Sequence, residues 1–229
     1  MVNNIKIFSK KKNLISRNRA SAKYKKYDYL FNEVNERLFE RLQLVKRKFQ
    51  DTLEIGSRTG NTINLFNKKK DIKNIFISDI SKEMLLIAKE IQTNKQKIFL
   101  TLDEENLPFK NNTISNFGCF NVLELLQFPK VAVREIHRVL NKTGYLVGYV
   151  PFLYPIHNQP VDYWRFSNQA LYQILSIGGF ENIIIEPLGG RFIFMYDIIL
   201  HRKLFVIKFM LSLLSIGLNI LDFAIFINK

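Results

Sequence analysis

Apolar positions recur at three and four over residues 27–49 (Tyr27, Leu30, Phe31, Val34, Leu38, Phe39, Leu42, Val45), which predicts an amphipathic helix. Short apolar runs then alternate with helical patterns. Residues 52–55 predict a first strand, followed by a crossover helix to about residue 68. Residues 75–78 predict a second strand that ends at Asp79. Ser81 is placed to cap a helix over 82–92, whose apolar face is Met84, Leu85, Ile87, Ala88 and Ile91. Residues 97–102 and 114–120 predict a third and a fourth strand, 131–140 a helix, and Gly144 a turn into a fifth strand over 145–150. Ser167 is placed to cap a helix over 168–177, Gly178-Gly179 to end it, and residues 182–187 predict a sixth strand.

Strands alternating with helices predict an α/β fold, a doubly wound and mostly parallel sheet covered on both faces. Ligands of such sheets bind outside the C-terminal strand ends, at the switch point of the strand order. Glu54, Asp79, Asp103 and Asn121 all fall at or just past predicted strand ends. After Gly189-Gly190 the strand and turn vocabulary stops. Over 204–227 the polar positions Lys208, Ser212, Ser215, Asn219 and Asp222 are spaced four, three, four and three, one narrow stripe on an apolar helix. The expected organisation is a basic arm over 1–26, a domain over 27–190 and an apolar helical extension over 191–229.

Charge changes this picture at the N-terminus. The chain of 229 residues carries a net +14, and residues 1–26 hold nine Lys/Arg with no acid, which leaves +5 for the rest. Such an arm suits an anionic membrane surface or nucleic acid, or is simply a solvated tail. An apolar helix with a polar stripe fits a membrane interface, or packing on the domain or at a dimer interface, better than a spanning segment, because Lys208 and Asp222 sit on the stripe. The single cysteine, Cys119, excludes an internal disulfide, and His137, His157 and His201 show no ligand-like spacing, so no metal is expected. Residues 5–8 are too short an apolar run for a secretory signal, so a cytoplasmic location is expected, peripheral on the inner face of the membrane if the ends attach there.

The chemistry concentrates after the first strand, in Glu54-Ile-Gly-Ser-Arg-Thr-Gly-Asn61. A glycine turn leading into a helix brings backbone N–H groups close to a ligand. Glu54 at the strand end would repel a pyrophosphate and suits a ligand with a positive end, such as the sulfonium of S-adenosylmethionine. Gly56 and Gly60 allow close approach, Asp79 suits the two ribose hydroxyls and Ile80 an adenine face. Asp103 and Glu104 suit the adenine edge, and Asn121 faces the methionine end. A nicotinamide-dinucleotide site fits less well, since its G-x-G-x-x-G pattern is broken by Arg58 and Asn61.

In these segments the chain resembles the class I S-adenosylmethionine-dependent methyltransferases of the type 11 group. The resemblance is carried by Leu53-Glu-Ile-Gly-Ser-Arg-Thr-Gly60, Ser78-Asp-Ile-Ser-Lys-Glu-Met-Leu85, Asp103-Glu-Glu-Asn-Leu-Pro-Phe109, Asn121-Val-Leu-Glu124 and the stretch 134–146. It covers roughly residues 50–190 and implies cofactor contacts from Glu54, Gly56, Gly60, Asp79, Ile80, Asp103, Glu104 and Asn121. Two positions depart from the family pattern. The middle glycine of the usual loop is Arg58, which either points to solvent or partly shuts the cofactor slot, and the histidine that often follows Glu124 is Leu125.

Methyl transfer from a sulfonium needs alignment, and a general base only if the acceptor must lose a proton. The acceptor side is expected in the loop 151–166, with His157 and Asp162 as catalytic candidates. Tyr154, Tyr163, Trp164 and Arg165 are the substrate-binding candidates, although Asp162–Arg165 also reads as a loop-fixing ion pair. A small-molecule, glycan or lipid-linked acceptor is expected. The alternatives are an RNA methyltransferase, or a non-catalytic binding protein whose cofactor loop is impaired by Arg58.

Overall fold

The computed structural model of the chain, described over residues 8–120, 122–152, 162–188 and 222–228, is built on five parallel strands. These are β1 (Asp51–Ile55), β2 (Asn74–Ser78), β3 (Gln96–Leu100), β4 (Ile114–Phe120) and β5 (Leu140–Pro151). Strands β6 (Glu181–Leu188) and β7 (Asp222–Asn228) complete a sheet of order β3-β2-β1-β4-β5-β7-β6. Six α-helices are described: α1 (Lys10–Ser21), α2 (Tyr29–Leu44), α3 (Ile63–Lys68), α4 (Lys82–Lys89), α5 (Pro129–Val139) and α6 (Asn168–Ile177). The predicted doubly wound, mostly parallel sheet is therefore observed.

Alternation along the strands explains the two layers of helices. Leu53 and Ile55 of β1, with Leu146 and Val150 of β5, join a core with Ile136 and Val139 of α5 and Leu171 and Leu175 of α6. Ile75 and Ile77 of β2, with Val147 and Tyr149 of β5, join Leu38 and Phe39 of α2, Phe66 of α3 and Leu85 of α4 on the other face. Burying a Leu, Ile or Phe side chain stabilises by roughly 1.5–3 kcal/mol. That burial, and not helix propensity, holds a six-residue helix such as α3.

The caps form as expected. Ser81 Oγ accepts from the Met84 N–H at 3.1 Å, and Ser167 Oγ accepts from the Ala170 N–H at 3.2 Å. Three expectations are corrected. Gly144 lies within β5 and not at a turn before it, and the pairing with β4 shifts register between Ile114 and Asn116 to absorb it. Residues 10–21 are helix α1, capped by Ser9 and packed against α4, where a free arm was one reading. Residues 222–227, assigned above to the end of an apolar helix, form β7.

Strand β7 inserts antiparallel between β5 and β6, from Tyr145↔Asn228 to Pro151↔Asp222 on one side and from Ile184↔Phe226 to Leu188↔Asp222 on the other. A strand in that slot pairs its backbone groups on both edges, which outweighs local helical periodicity. Residues 204–221 lie outside the described residues. Among the described residues no helix is long and apolar enough to cross a membrane.

Candidate functional site

Strand β1 has β2 on one side and β4 on the other, so the order of the sheet reverses beside it. The loop that leaves β1 at this switch point holds three residues in left-handed backbone, Gly56 and Gly60 at φ 66° and 78° with Arg58 between them at φ 50°. Left-handed backbone is cheap for glycine and costs an L-residue roughly 1–2 kcal/mol. Gly60 also lacks room, since a Cβ there would lie 2.7 Å from Ile63 Cδ1 and 2.8 Å from Ala88 Cβ. Asn61 anchors the loop to α2, its Nδ2 donating to Asp28 at 2.6 Å and to Asn32 at 2.5 Å.

Asp79, at the end of β2, is fully buried beside this loop. Its Oδ1 accepts from the Ser81 N–H at 2.9 Å, and its Oδ2 accepts from the Arg58 N–H at 3.0 Å and from Arg17 Nη1 at 2.6 Å. The conformation of Arg58 thus aims a backbone donor at the neighbouring strand end. Its guanidinium lies 4.1 Å from the Phe31 ring centre and 5.9 Å from that of Tyr24, which places it against α2 and the 3-10 turn Tyr24–Lys26 and not out in solvent.

Glu54 is buried on the helix side of β1, with Thr62 Oγ1 donating to its Oε2. Burial pushes its pKa up to about 7, against the Thr62 hydrogen bond and the charge of Arg58. Asp103 follows β3 and binds Lys10 Nζ at 2.6 Å. Burial alone would raise its pKa, but Lys10 and the Glu105 N–H hold it below the ordinary value. Glu104 is buried, and that burial raises its pKa. Ile80 and Glu104 line a cavity of about 450 Å³ together with Val122, Leu125, Leu126 and Phe128, closed on the opposite side by residues of α1.

Asn121, Tyr154 and His157 lie outside the described residues. Asp162 and Arg165 form an ion pair with Asp162 almost wholly buried, the loop-fixing arrangement considered above. Trp164 donates its Nε1–H to the Leu126 carbonyl at 3.0 Å and stacks on Phe166. Tyr163 is half exposed and meets the edges of Phe8 and Trp164. Phe8 and Leu126 line the cavity, so these two aromatic residues border it through their neighbours.

Two residues outside the sequence-based candidates belong to the site. Arg17 reaches it because α1 docks. Glu124, in the 3-10 turn Leu123–Leu125 after β4, is buried with its Oε2 lacking a hydrogen-bond partner among the described residues. Burial pushes its pKa up to about 7, and Arg58, Arg17 and Arg165 oppose that rise. The signal available for Glu124 was an acid just past a strand end, the same one that marks Asp79.

Comparison with known proteins adds a family match over part of the chain. A family model described as a methyltransferase domain matches residues 53–148. The mitochondrial arginine-hydroxylase NDUFAF5 of Danio rerio is 32% identical over 123 residues, which cover 54% of this chain and 37% of that protein. The chain therefore spans well under half the length of that relative. An S-adenosylmethionine-dependent methyltransferase of Thermotoga maritima superposes with a TM-score of 0.66 at 19% identity, over 93% of this chain and 97% of the other. A phosphoethanolamine N-methyltransferase of Haemonchus contortus, solved with phosphomonomethylethanolamine and S-adenosylhomocysteine, superposes with a TM-score of 0.62 at 14% identity, over 86% of this chain and 52% of the other. Residues 53–148, which hold the glycine turn and the acidic strand ends, match that methyltransferase-domain model, and the chain has the class I S-adenosylmethionine-dependent methyltransferase fold.

Proposed function

We propose that the chain is an S-adenosylmethionine-dependent methyltransferase acting on a small-molecule, glycan or lipid-linked acceptor. The observation that carries this reading is Asp79, a buried carboxylate at the end of β2 whose Oδ2 is bonded to the N–H of the glycine-loop residue Arg58. The residues present fit the cofactor. Gly56 and Gly60 let the backbone approach it, Asp79 offers acceptors to ribose hydroxyls, and Ile80, Asp103 and Glu104 border the adenine slot. When bound, the cofactor supplies a methyl group on a sulfonium, already activated for in-line displacement. The protein's part is then alignment and exclusion of water. Glu124, buried near neutrality in pKa, is placed to take a proton from an acceptor, with His157 and Asp162 as the other candidates.

An apolar-walled cavity of about 450 Å³ favours a compact acceptor group over a nucleic-acid surface. The engagement of Lys10 and Arg17 with the chain's own carboxylates removes part of the basic arm from the RNA reading. A cytoplasmic location with attachment to the inner face of a membrane, through the part of the apolar extension 191–229 that precedes β7, is part of the same proposal. Flotation of the full chain with anionic vesicles tests it.

The decisive experiment is thermal denaturation with S-adenosylhomocysteine. At 100-fold excess over its dissociation constant a true ligand stabilises by about 2.7 kcal/mol. Asp79→Ala should abolish the shift, and no shift for the wild type would overturn the reading.

A further inference from the structure

Helix α1 brings cations to the very carboxylates that the proposed cofactor would use. Arg17 Nη1 lies 2.6 Å from Asp79 Oδ2, with the Asp79 side chain fully buried and that of Arg17 only 11% exposed. Seven residues earlier, Lys10 Nζ lies 2.6 Å from Asp103 Oδ2 and 3.2 Å from Glu105 Oε2. Seven residues are close to two helical turns, so both cations project from one side of α1. The helix therefore bridges the ends of β2 and β3, and Lys10, Asn13 and Arg17 form part of the cavity wall.

We infer that α1 is an internal strap which competes with the adenosyl cofactor for Asp79 and Asp103; this rests on the cofactor reading above. A carboxylate offers about four lone-pair directions. At Asp79 three are taken, by the N–H groups of Ser81 and Arg58 and by Arg17. Two ribose hydroxyls need two acceptor directions, so Arg17 must leave before the ribose is gripped. Lys10 must likewise yield Asp103 to the adenine edge. The two ion pairs differ in screening: Arg17 meets Asp79 in a buried site where screening is weak, whereas the Lys10 pair is half exposed and screened by salt. The chain by itself thus rests in a closed state, and its apparent cofactor affinity is reduced by the small fraction that is open.

Calorimetric titration of the full chain with S-adenosylhomocysteine tests the strap. Arg17→Ala should tighten binding on the order of tenfold, in proportion to the closed fraction it removes. Lys10→Ala, an exposed substitution that leaves the fold intact, should tighten it by a smaller factor. Raising salt should narrow the gap between the wild type and Lys10→Ala. Equal affinity in the wild type and both variants overturns the strap alone. Weaker binding by Arg17→Ala also overturns it, because Arg17 would then be gripping the cofactor. Absence of binding by the wild type and by both variants overturns the cofactor reading, and the competition with it.

Discussion

The guanidinium of Arg58 lies 4.1 Å from the centre of the Phe31 ring while its backbone holds φ at 50°. The residue that replaces the family's glycine therefore carries left-handed strain and offsets it by packing on α2. Arg58→Gly should remove the strain and the ring contact together, leaving stability within about 1 kcal/mol of the wild type. Arg58→Ala should keep the strain and lose the contact, so urea denaturation should place it about 1 kcal/mol below the glycine variant. Equal stability of the two variants would show that the loop carries no such strain.

Gly60 is constrained twice, by φ of 78° and by Ile63 and Ala88 within 2.8 Å of any added Cβ. Gly60→Ala should destabilise by on the order of 2 kcal/mol or more, read from the denaturation midpoint. Adding Ala88→Gly should recover only the part due to the clash with the Ala88 methyl, and neither the part due to Ile63 nor the part due to φ.

Glu54 and Glu124 should make stability fall with rising pH. Burial lifts both folded-state values from 4.5 to about 7. Between those values the folded chain keeps protons that the unfolded chain has released, so their contribution declines through that window and levels off above it. Melting temperatures from pH 5 to 8 should show this decline, and Glu54→Gln with Glu124→Gln should flatten it. An unchanged slope in the double variant would assign the pH dependence to other groups.

Trp164 ties the loop before α6 to the turn after β4 through its hydrogen bond to the Leu126 carbonyl. Trp164→Phe keeps an aromatic ring against Phe166 and removes that bond. The expected loss is about 1 kcal/mol, measurable by thermal melting, and a neutral result would leave the ring stack as the only role of Trp164.

Local pattern was enough for much of this molecule. The strands β1 to β5, the caps Ser81 and Ser167, and the acids Glu54, Asp79 and Asp103 at successive strand ends were all legible, because apolar alternation and cap chemistry act within a few residues. What tertiary structure alone decided involves partners far apart in the chain. The stretch 222–228 is a strand because β5 and β6 leave it a slot with unpaired backbone on both sides, a demand no helical period reveals. Arg58 turns inward because Phe31 and Tyr24 wait there on other elements. The basic N-terminus read as solvated or polyanion-seeking because it contains no acid of its own. Its acids come from the ends of β2 and β3, and Arg17 meets Asp79, 62 residues away, only once the sheet has gathered those ends at one edge.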